Sequence, residues 1–306
     1  MIVVACPGQG SQRPGFLEPW LAVDGAEALL TSYSEVTGID LVQHGTVSDA
    51  DTIRDTAVAQ PLIVAAGLLT LHALREAGAA LDQAGYAGHS VGEITAAVGA
   101  GVFDALDGMR FVTTRARAMA EAAAAARTGM SAVIGGDQEA VLAAVSELGL
   151  QAANFNGGGQ LVVAGAVEDL ARLSEQPPAG TRVIPLQVAG AFHTTFMGAA
   201  QEPLRSTVAS IQVHDPRAPL WTNADGTLVD DGQRYVELLI TQLASPVRWD
   251  LCMESFASSG VTGIVEVAPA GTLTGLAKRA LRGTPTVAVA SPDDLPAAVE
   301  LLASAG

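Results

Sequence analysis

A serine between two glycines is the strongest candidate for chemistry in this chain. The segment 88–92, Gly-His-Ser-Val-Gly, follows the pattern G-x-S-x-G, and a helix-like segment, 93–100, comes directly after it. Small residues two before and two after a serine let a strand turn sharply into a helix and leave the hydroxyl exposed. The helix N-terminus favours negative charge, so the amide of Val91 can stabilise an oxyanion. The pattern predicts that Ser90 is a nucleophile; the alternative is a tight turn without chemistry.

A serine hydroxyl needs a general base within hydrogen-bond reach. The chain has five histidines, which are His44, His72, His89, His193 and His214. His89 adjoins Ser90 but points in another direction, which favours an imidazole that holds the turn. His193 follows a predicted strand and lies on a loop, where catalytic residues are common. His193 is therefore one candidate for the base, the alternative being a loop histidine with structural hydrogen bonds. No acidic residue is near it, so a third member comes from elsewhere or from a backbone carbonyl.

An arginine lies on the apolar face of a predicted helix. Phe111, Arg115 and Met119 follow the spacing i, i+4, i+8, whereas Arg117 lies on another face. A buried guanidinium needs an anion, because burying an unpaired charge is costly. The anion is either an acid of the protein such as Glu93 or the carboxylate of a substrate, which a guanidinium binds through two parallel hydrogen bonds.

The composition argues against a nucleic-acid partner. The net charge is −16, and only one lysine accompanies fifteen arginines, so a phosphate backbone would be repelled. Basic residues gather in two groups, which are Arg110, Arg115 and Arg117, and Lys278, Arg279 and Arg282. Each group is either a local site for an anionic partner or a solvated helix face.

The two cysteines, Cys6 and Cys252, form no disulfide or metal-ligand pattern. The apolar run 2–6 indicates a strand rather than a signal peptide, and the alanine-rich segments are interrupted by Arg, Glu or Gly. We therefore expect a cytoplasmic protein without a membrane span and without a metal site.

The order of predicted elements indicates an α/β fold. Strands are predicted at 2–6, 130–134, 161–164, 182–188, 261–267 and 286–289. Helices are predicted at 58–77, 93–100, 105–126, 137–148, 167–174 and 271–282. Alternating strands and helices predict a mostly parallel sheet, and the short elements from about 127 to 190 predict a small α+β insertion.

Taken together, these segments resemble the malonyl-CoA:acyl-carrier-protein transacylase family and the related acyltransferase domains of polyketide synthases. The matching segments, in the order of the family, are 7–12 (PGQGSQ), 88–93 (GHSVGE), Arg115, 154–156 (NFN), 190–193 (GAFH) and 242–249 (QLASPVRW). The resemblance implies an α/β-hydrolase-like large domain with a parallel-rich sheet, formed by residues 1–126 and 191–306, and an inserted ferredoxin-like subdomain, 127–190.

The resemblance also implies roles for individual residues. Ser90 would be the nucleophile, His193 the base, and the main-chain carbonyl of Gln242 the third member of the triad. Gln9 and the amide of Val91 would form the oxyanion hole. The substrate-binding residues would be Arg115, which would bind the malonyl carboxylate, and His89, Asn154, Asn156 and Phe192.

The segment 190–193 is similar to the form associated with malonyl selectivity, in which Phe192 would crowd an α-methyl group. Two positions depart from the usual pattern: Ile94 replaces an aromatic residue, and Thr194-Thr195 replaces Ser-Pro. Both border the site and leave fine acyl selectivity open.

The function implied is malonyl transfer from malonyl-CoA to the phosphopantetheine thiol of an acyl carrier protein. Malonyl-CoA is a substrate, no cofactor is needed, and the family suggests a monomer. Either fatty-acid or polyketide synthesis would use this reaction. The rivals are a hydrolase with the same serine turn, and a non-catalytic scaffold that would need none of Ser90, His193, Gln9 and Arg115.

Overall fold

The computed structural model describes residues 1–188 and 190–304. The strands in these ranges are β1 (Ile2–Cys6), β2 (Gly85–Gly88), β3 (Thr128–Gly135), β4 (Gln151–Gly157), β5 (Gln160–Ala166), β6 (Thr181–Pro185), β7 (Val247–Arg248), β8 (Gly263–Glu266) and β9 (Thr286–Ala288). The α-helices are α1 (Ala26–Thr37), α2 (Leu41–Thr46), α3 (Thr56–Glu76), α4 (Gly92–Ala100), α5 (Ala105–Ala124), α6 (Gln138–Glu147), α7 (Val167–Glu175), α8 (Gln201–Val208), α9 (Gly232–Thr241), α10 (Trp249–Ser258), α11 (Thr272–Ala280) and α12 (Leu295–Ala303).

The larger core surrounds a parallel sheet of four strands in the order β2-β1-β8-β9. All five residues of β1 are buried, as expected of a parallel strand covered on both faces. Cys6 at the end of β1 pairs with Gly88 at the end of β2. The carboxyl ends of these two strands therefore lie side by side, and the loops that follow them, which hold Gln9 and Ser90, meet at one edge of the sheet.

Helix α3 packs in this core. Its N-terminus is capped by Asp55, whose side chain accepts from the amide of Ala57. By length and composition alone it is apolar enough to cross a membrane, which differs from the sequence prediction that no segment has this character. However, 83% of its apolar window is buried inside the protein, so α3 is packed as a core helix.

A second sheet has the order β6-β3-β5-β4-β7. The pairs among β3, β4, β5 and β6 are antiparallel, and they carry α6 and α7 between them. This α+β unit agrees with the predicted insertion. Strand β7 comes from outside the insertion and pairs in parallel with β4 through Asn154 and Val247, which ties the second sheet to the chain that follows His193.

The predicted fold class, α/β with a parallel-rich sheet in a large domain and an inserted small α+β subdomain, is confirmed. The strand predicted at 182–188 extends too far along the chain: β6 ends at Pro185, which has no N–H to donate, and beyond it the amide of Leu186 makes one further hydrogen bond to the carbonyl of Met130 at 2.9 Å. The exact domain limits stay a prediction. Ala189, within the range 127–190, and Ala305 and Gly306, within 191–306, lie outside the described residues.

Candidate active site

Ser90 lies on the sharp turn between β2 and α4. Its φ of 54° is positive, a conformation that is uncommon for a residue with a side chain. A Cβ on Gly88 would lie 2.1 Å from the amide nitrogen of Glu93, and one on Gly92 would lie 2.0 Å from the carbonyl oxygen of Cys6. The two glycines are therefore required by close backbone approach, as the pattern G-x-S-x-G predicts.

His193 meets the serine although the two are 103 residues apart in the sequence. The Oγ of Ser90 and the Nε2 of His193 are 2.7 Å apart, and the Nδ1 of His193 lies 2.9 Å from the main-chain oxygen of Gln242. A carbonyl oxygen only accepts, so Nδ1 carries the proton and Nε2 presents a lone pair to the serine hydroxyl. The imidazole is thus in the tautomer that a general base needs.

The surroundings keep this imidazole neutral. Burial lowers the pKa of His193 to about 3, and the positive charge of Arg115 contributes to the same shift. Burial also lowers the pKa of His89 below its ordinary value. Both imidazoles therefore disfavour the charged form. His193 stays neutral well below pH 7, and its Nε2 remains free to accept a proton there.

Arg115 points from α5 to the serine. Its guanidinium donates to the Oγ of Ser90 at 3.2 Å, to the Oε1 of Gln60 at 2.6 Å and to the Oε1 of Gln242 at 3.1 Å. Its side chain is only 2% exposed, and burial lowers the pKa of Arg115 to about 10, an effect that the negative charge of Glu93 opposes. Within residues 1–188 and 190–304, Arg115 forms no salt bridge, so its hydrogen-bond partners here are neutral oxygens.

A buried polar network under the serine was not predicted. The side chain of Asn223 accepts from the amide of Ser90 at 2.8 Å and donates to the carbonyl of Gly88 at 2.7 Å. Its own amide donates to the carboxylate of Glu93 at 2.7 Å. Asn223 thereby fixes both sides of the turn, yet it follows no motif that pattern analysis would single out.

A direct ion pair between Glu93 and Arg115, one of the two predicted alternatives, is absent among the described residues. The side-chain amide of Gln242 lies between them, since it donates to the Glu93 carboxylate and accepts from Arg115. Burial raises the pKa of Glu93, whereas the N–H donors of Asn223 and Gln242, which face its two oxygens, and the charge of Arg115 favour the carboxylate.

The two residues predicted for an oxyanion hole lie on the two loops that meet at the sheet edge. Val91 precedes the first residue of α4, and Gln9 follows β1; both line the same cavity as Ser90. The Nε2 of Gln9 donates to the Oγ1 of Thr56 at 3.3 Å, which anchors this loop against the start of α3.

The cavity has a volume of about 210 Å³ and lies between the two sheets. Its lining includes all of the predicted substrate-binding residues, which are Arg115, His89, Asn154, Asn156 and Phe192. The Nε2 of His89 and the Oδ1 of Asn156 are 2.9 Å apart, so one contact links the serine turn to β4. The fold thus brings the predicted substrate-binding residues together, and it adds Gln60, Asn223 and the side chain of Gln242, which no sequence motif indicates.

This arrangement can carry out acyl transfer by nucleophilic catalysis. It contains a serine hydroxyl that can act as a nucleophile, an imidazole in the tautomer that a base requires, and amides at the end of a helix that can face an oxyanion. The described residues hold no group of three or more His, Cys, Asp or Glu side chains with the spacing of a metal site.

Comparison with known proteins agrees with this chemistry. Residues 3–296 match the acyl transferase domain family. The malonyl CoA-acyl carrier protein transacylase of Mycobacterium tuberculosis is 48% identical over 96% of this chain and 98% of its own length. The protein of the same name from Bacillus subtilis is 33% identical over 97% of this chain and 95% of its own length.

Solved structures show the same similarity in three dimensions. The structure of the transacylase from Mycobacterium tuberculosis superposes with a TM-score of 0.94 at 46% identity, covering 98% of this chain and 99% of the other. A malonyl-transacylase in complex with a type II polyketide synthase acyl-carrier protein gives 0.92 at 30% identity, covering 98% and 99%. This chain is an acyltransferase that belongs to the malonyl CoA-acyl carrier protein transacylase family.

Proposed function

We propose that this enzyme transfers a malonyl group from malonyl-CoA to the phosphopantetheine thiol of an acyl carrier protein, through an ester on Ser90. The observation that carries the proposal is the 3.2 Å contact between the guanidinium of Arg115 and the Oγ of Ser90. This buried cation, which has no acidic partner among the residues that the structure describes, stands beside the atom that receives the acyl group. An acyl group with its own carboxylate would supply the missing negative charge.

In the first half-reaction, the Oγ of Ser90 attacks the thioester carbonyl while the Nε2 of His193 takes its proton. The amide of Val91 and Gln9 stabilise the oxyanion. When the carbon–sulfur bond breaks, coenzyme A leaves as a thiol with the proton from His193, and the malonyl ester remains on Ser90. The carbonyl of Gln242 holds the imidazole in position and stabilises its charged form during the transfer.

In the second half-reaction, the phosphopantetheine thiol of the carrier protein attacks the ester and gives its proton to His193. The carbon–oxygen bond breaks, and the proton passes to the Oγ of Ser90. The free enzyme is restored, with a thioester consumed and a thioester formed. Water must not compete with the thiol as the attacking group. The small cavity with apolar walls limits the access of water to the ester.

The substrate-binding roles follow from the same arrangement. Arg115 binds the malonyl carboxylate through two hydrogen bonds, and Phe192 leaves little room for an α-methyl group. Asn154 and Asn156 line the opposite wall on β4, and His89 holds the position of Asn156.

We also propose that the enzyme needs no cofactor and works as a monomer in the cytoplasm. The inserted subdomain would span residues 127–190. Its product would serve fatty-acid or polyketide synthesis.

The test is the intact mass of the protein after brief incubation with malonyl-CoA, for the native chain and for Ser90→Ala. We expect a gain of one malonyl group that is absent in the variant and is discharged onto a carrier-protein thiol. A gain that is lost to water alone would favour a hydrolase. A gain only with another acyl-CoA would keep Ser90 as the nucleophile and contradict the malonyl assignment.

A further inference from the structure

Gln242 contacts both the candidate base, His193, and the candidate carboxylate-binding residue, Arg115. Its main-chain oxygen accepts from the Nδ1 of His193 at 2.9 Å, and its side-chain Oε1 accepts from the guanidinium of Arg115 at 3.1 Å. The residue is buried, with 6% of its surface exposed. A main-chain contact is available to any residue at this position, whereas the side-chain contact requires an amide.

The orientation of this amide is determined by its neighbours. Arg115 can only donate hydrogen bonds, and the carboxylate of Glu93 accepts them. The amide therefore directs its oxygen to Arg115 and its nitrogen to Glu93, as observed. The opposite orientation would bring two donors together on one side and two acceptors on the other.

Glu93 is a rigid anchor for the amide. Its side chain is 1% exposed, it lies in the first turn of α4, and it also accepts from the amide of Asn223 at 2.7 Å. The Gln242 amide stands between Glu93 and Arg115 and takes the place that a direct ion pair would occupy. It thus fixes the guanidinium beside Ser90 while leaving its charge uncompensated by a contacting carboxylate.

We propose that the side chain of Gln242, anchored on Glu93, positions Arg115 for acyl groups that carry a carboxylate and so sets the preference for acidic over uncharged acyl groups. This inference rests on the proposed function. Gln242 is a positioning residue in this role, because it acts through Arg115. Without the amide, the guanidinium is free to move toward Glu93 and pair with it, which would withdraw it from the substrate.

The test uses Gln242→Met in the full chain, which keeps the length of the side chain and the main-chain carbonyl. Acylation of Ser90 is measured from malonyl-CoA and from acetyl-CoA, each over a range of concentrations. We expect the ratio of the two kcat/KM values, malonyl over acetyl, to fall about tenfold or more, mainly through the KM for malonyl-CoA. The neighbouring exposed residue gives the control, since Thr241→Ala should leave the ratio unchanged.

A second variant protects the test against misfolding of the first. In Glu93→Gln, one amide oxygen cannot replace two carboxylate oxygens that both accept, so the Gln242 amide loses its anchor and the ratio should fall in the same direction. Equal losses for malonyl and acetyl in both variants, with native malonyl loading intact, would overturn this inference alone. Absence of malonyl loading in the native chain would overturn the proposed function and this inference with it.

Discussion

Ser90 and His193 share an unusual backbone conformation and a hydrogen bond. Among the described residues they are the two non-glycine residues with positive φ, 54° and 61°, and their side chains meet at 2.7 Å. Such conformations cost on the order of 1–3 kcal/mol each and persist only where the surroundings hold them. Two hydrogen bonds stabilise these conformations here. The Ser90 amide donates to Asn223, and the imidazole of His193 donates to the Gln242 carbonyl.

Replacing Asn223 should therefore impair acylation without changing selectivity. Asn223→Ala removes the acceptor for the Ser90 amide and leaves buried groups unpaired, at a cost of about 1–3 kcal/mol in the free energy of unfolding. We expect loading from malonyl-CoA and acetyl-CoA to fall by the same factor, because the change affects the nucleophile, while the Gln242 amide keeps its hydrogen bond to Glu93 and continues to hold Arg115. Denaturant unfolding and loading kinetics would measure both effects. A loss confined to malonyl loading would show that Asn223 acts on the substrate carboxylate instead.

Removing the guanidinium of Arg115 should lower loading from malonyl-CoA much more than loading from acetyl-CoA, in contrast to the equal losses expected for Asn223→Ala. Arg115→Ala deletes the proposed partner of the malonyl carboxylate, and hydrogen bonds to charged groups contribute about 1.5–3 kcal/mol. We expect kcat/KM for malonyl-CoA to fall by about 10²-fold or more, far more than for acetyl-CoA. Arg117→Ala is the matched control on the same helix, because Arg117 donates to the carbonyl of Thr37 and not to the site. Equal losses for the two acyl-CoA substrates would refute the role of Arg115.

The serine turn could be predicted from sequence because its geometry is local. A Cβ at position 88 or 92 would collide with backbone atoms, so G-x-S-x-G reports a physical requirement. The face of α5 that carries Arg115 could also be predicted, since helical spacing puts Phe111, Arg115 and Met119 together, and all three are buried.

The polar network could not be predicted in this way. Asn223 lies 133 residues from Ser90, and Gln242 lies 149 residues from Glu93, so only the completed fold reveals these contacts. The same limit applies to β4 and β7. Two residues of β7 pair with β4, and so short a segment has no periodicity of its own.

Two glycine-to-alanine substitutions should change the free energy of unfolding in opposite directions, because a side chain collides with backbone atoms at one position and only raises helix propensity at the other. Gly92→Ala would place a methyl group 2.0 Å from the carbonyl oxygen of Cys6, and backbone at both sides cannot yield cheaply. We expect a loss of about 3 kcal/mol or more in the free energy of unfolding, together with loss of acylation. Gly275→Ala in α11 meets no atom within 4 Å and should stabilise the protein by about 0.5–1 kcal/mol. Thermal or denaturant unfolding measures both, and a tolerated Gly92→Ala would contradict the close approach.

The depressed pKa of His193 predicts the pH dependence of acylation. With a folded pKa of about 3 against an ordinary value of 6.5, the imidazole stays neutral at pH 5, where a solvent-exposed histidine would be mostly charged. Loading from acetyl-CoA should therefore show no inflection near pH 6.5. In Arg115→Ala one cause of the depression is removed, so the acid limb should move to higher pH. An inflection near 6.5 in the native enzyme would contradict the buried, neutral base.

The same shift has a consequence for stability. Between the folded pKa of about 3 and the ordinary value of 6.5, the His193 side chain binds more protons in the unfolded chain than in the folded one. The free energy of unfolding then falls as the pH is lowered through this window. His193→Asn removes the group and should flatten that slope, which unfolding measured at several pH values from 7 to 4 would test. A slope unchanged in the variant would assign the acid sensitivity to other groups, such as His89.

Carrier-protein docking should depend on the basic end of α11. Leu273 and Leu276 of this helix line the cavity, and Arg279 reaches Gln160, another lining residue, at 3.4 Å. Lys278 and Arg279 occupy the last turn of α11, in a chain whose net charge is −16. The positive charges of Lys278 and Arg279 would attract an acidic carrier protein to this surface beside the mouth of the site.

Charge reversal tests this surface. In Lys278→Glu/Arg279→Glu, we expect the KM for the carrier protein to rise about threefold to tenfold at low salt, with a smaller effect at high salt, because exposed charges are screened. Acylation by malonyl-CoA alone should change less than the carrier step. The control is Arg75→Glu, an exposed change of the same sign at the far end of α3. A carrier KM that is insensitive to both the reversal and the salt concentration would place docking elsewhere on the molecule.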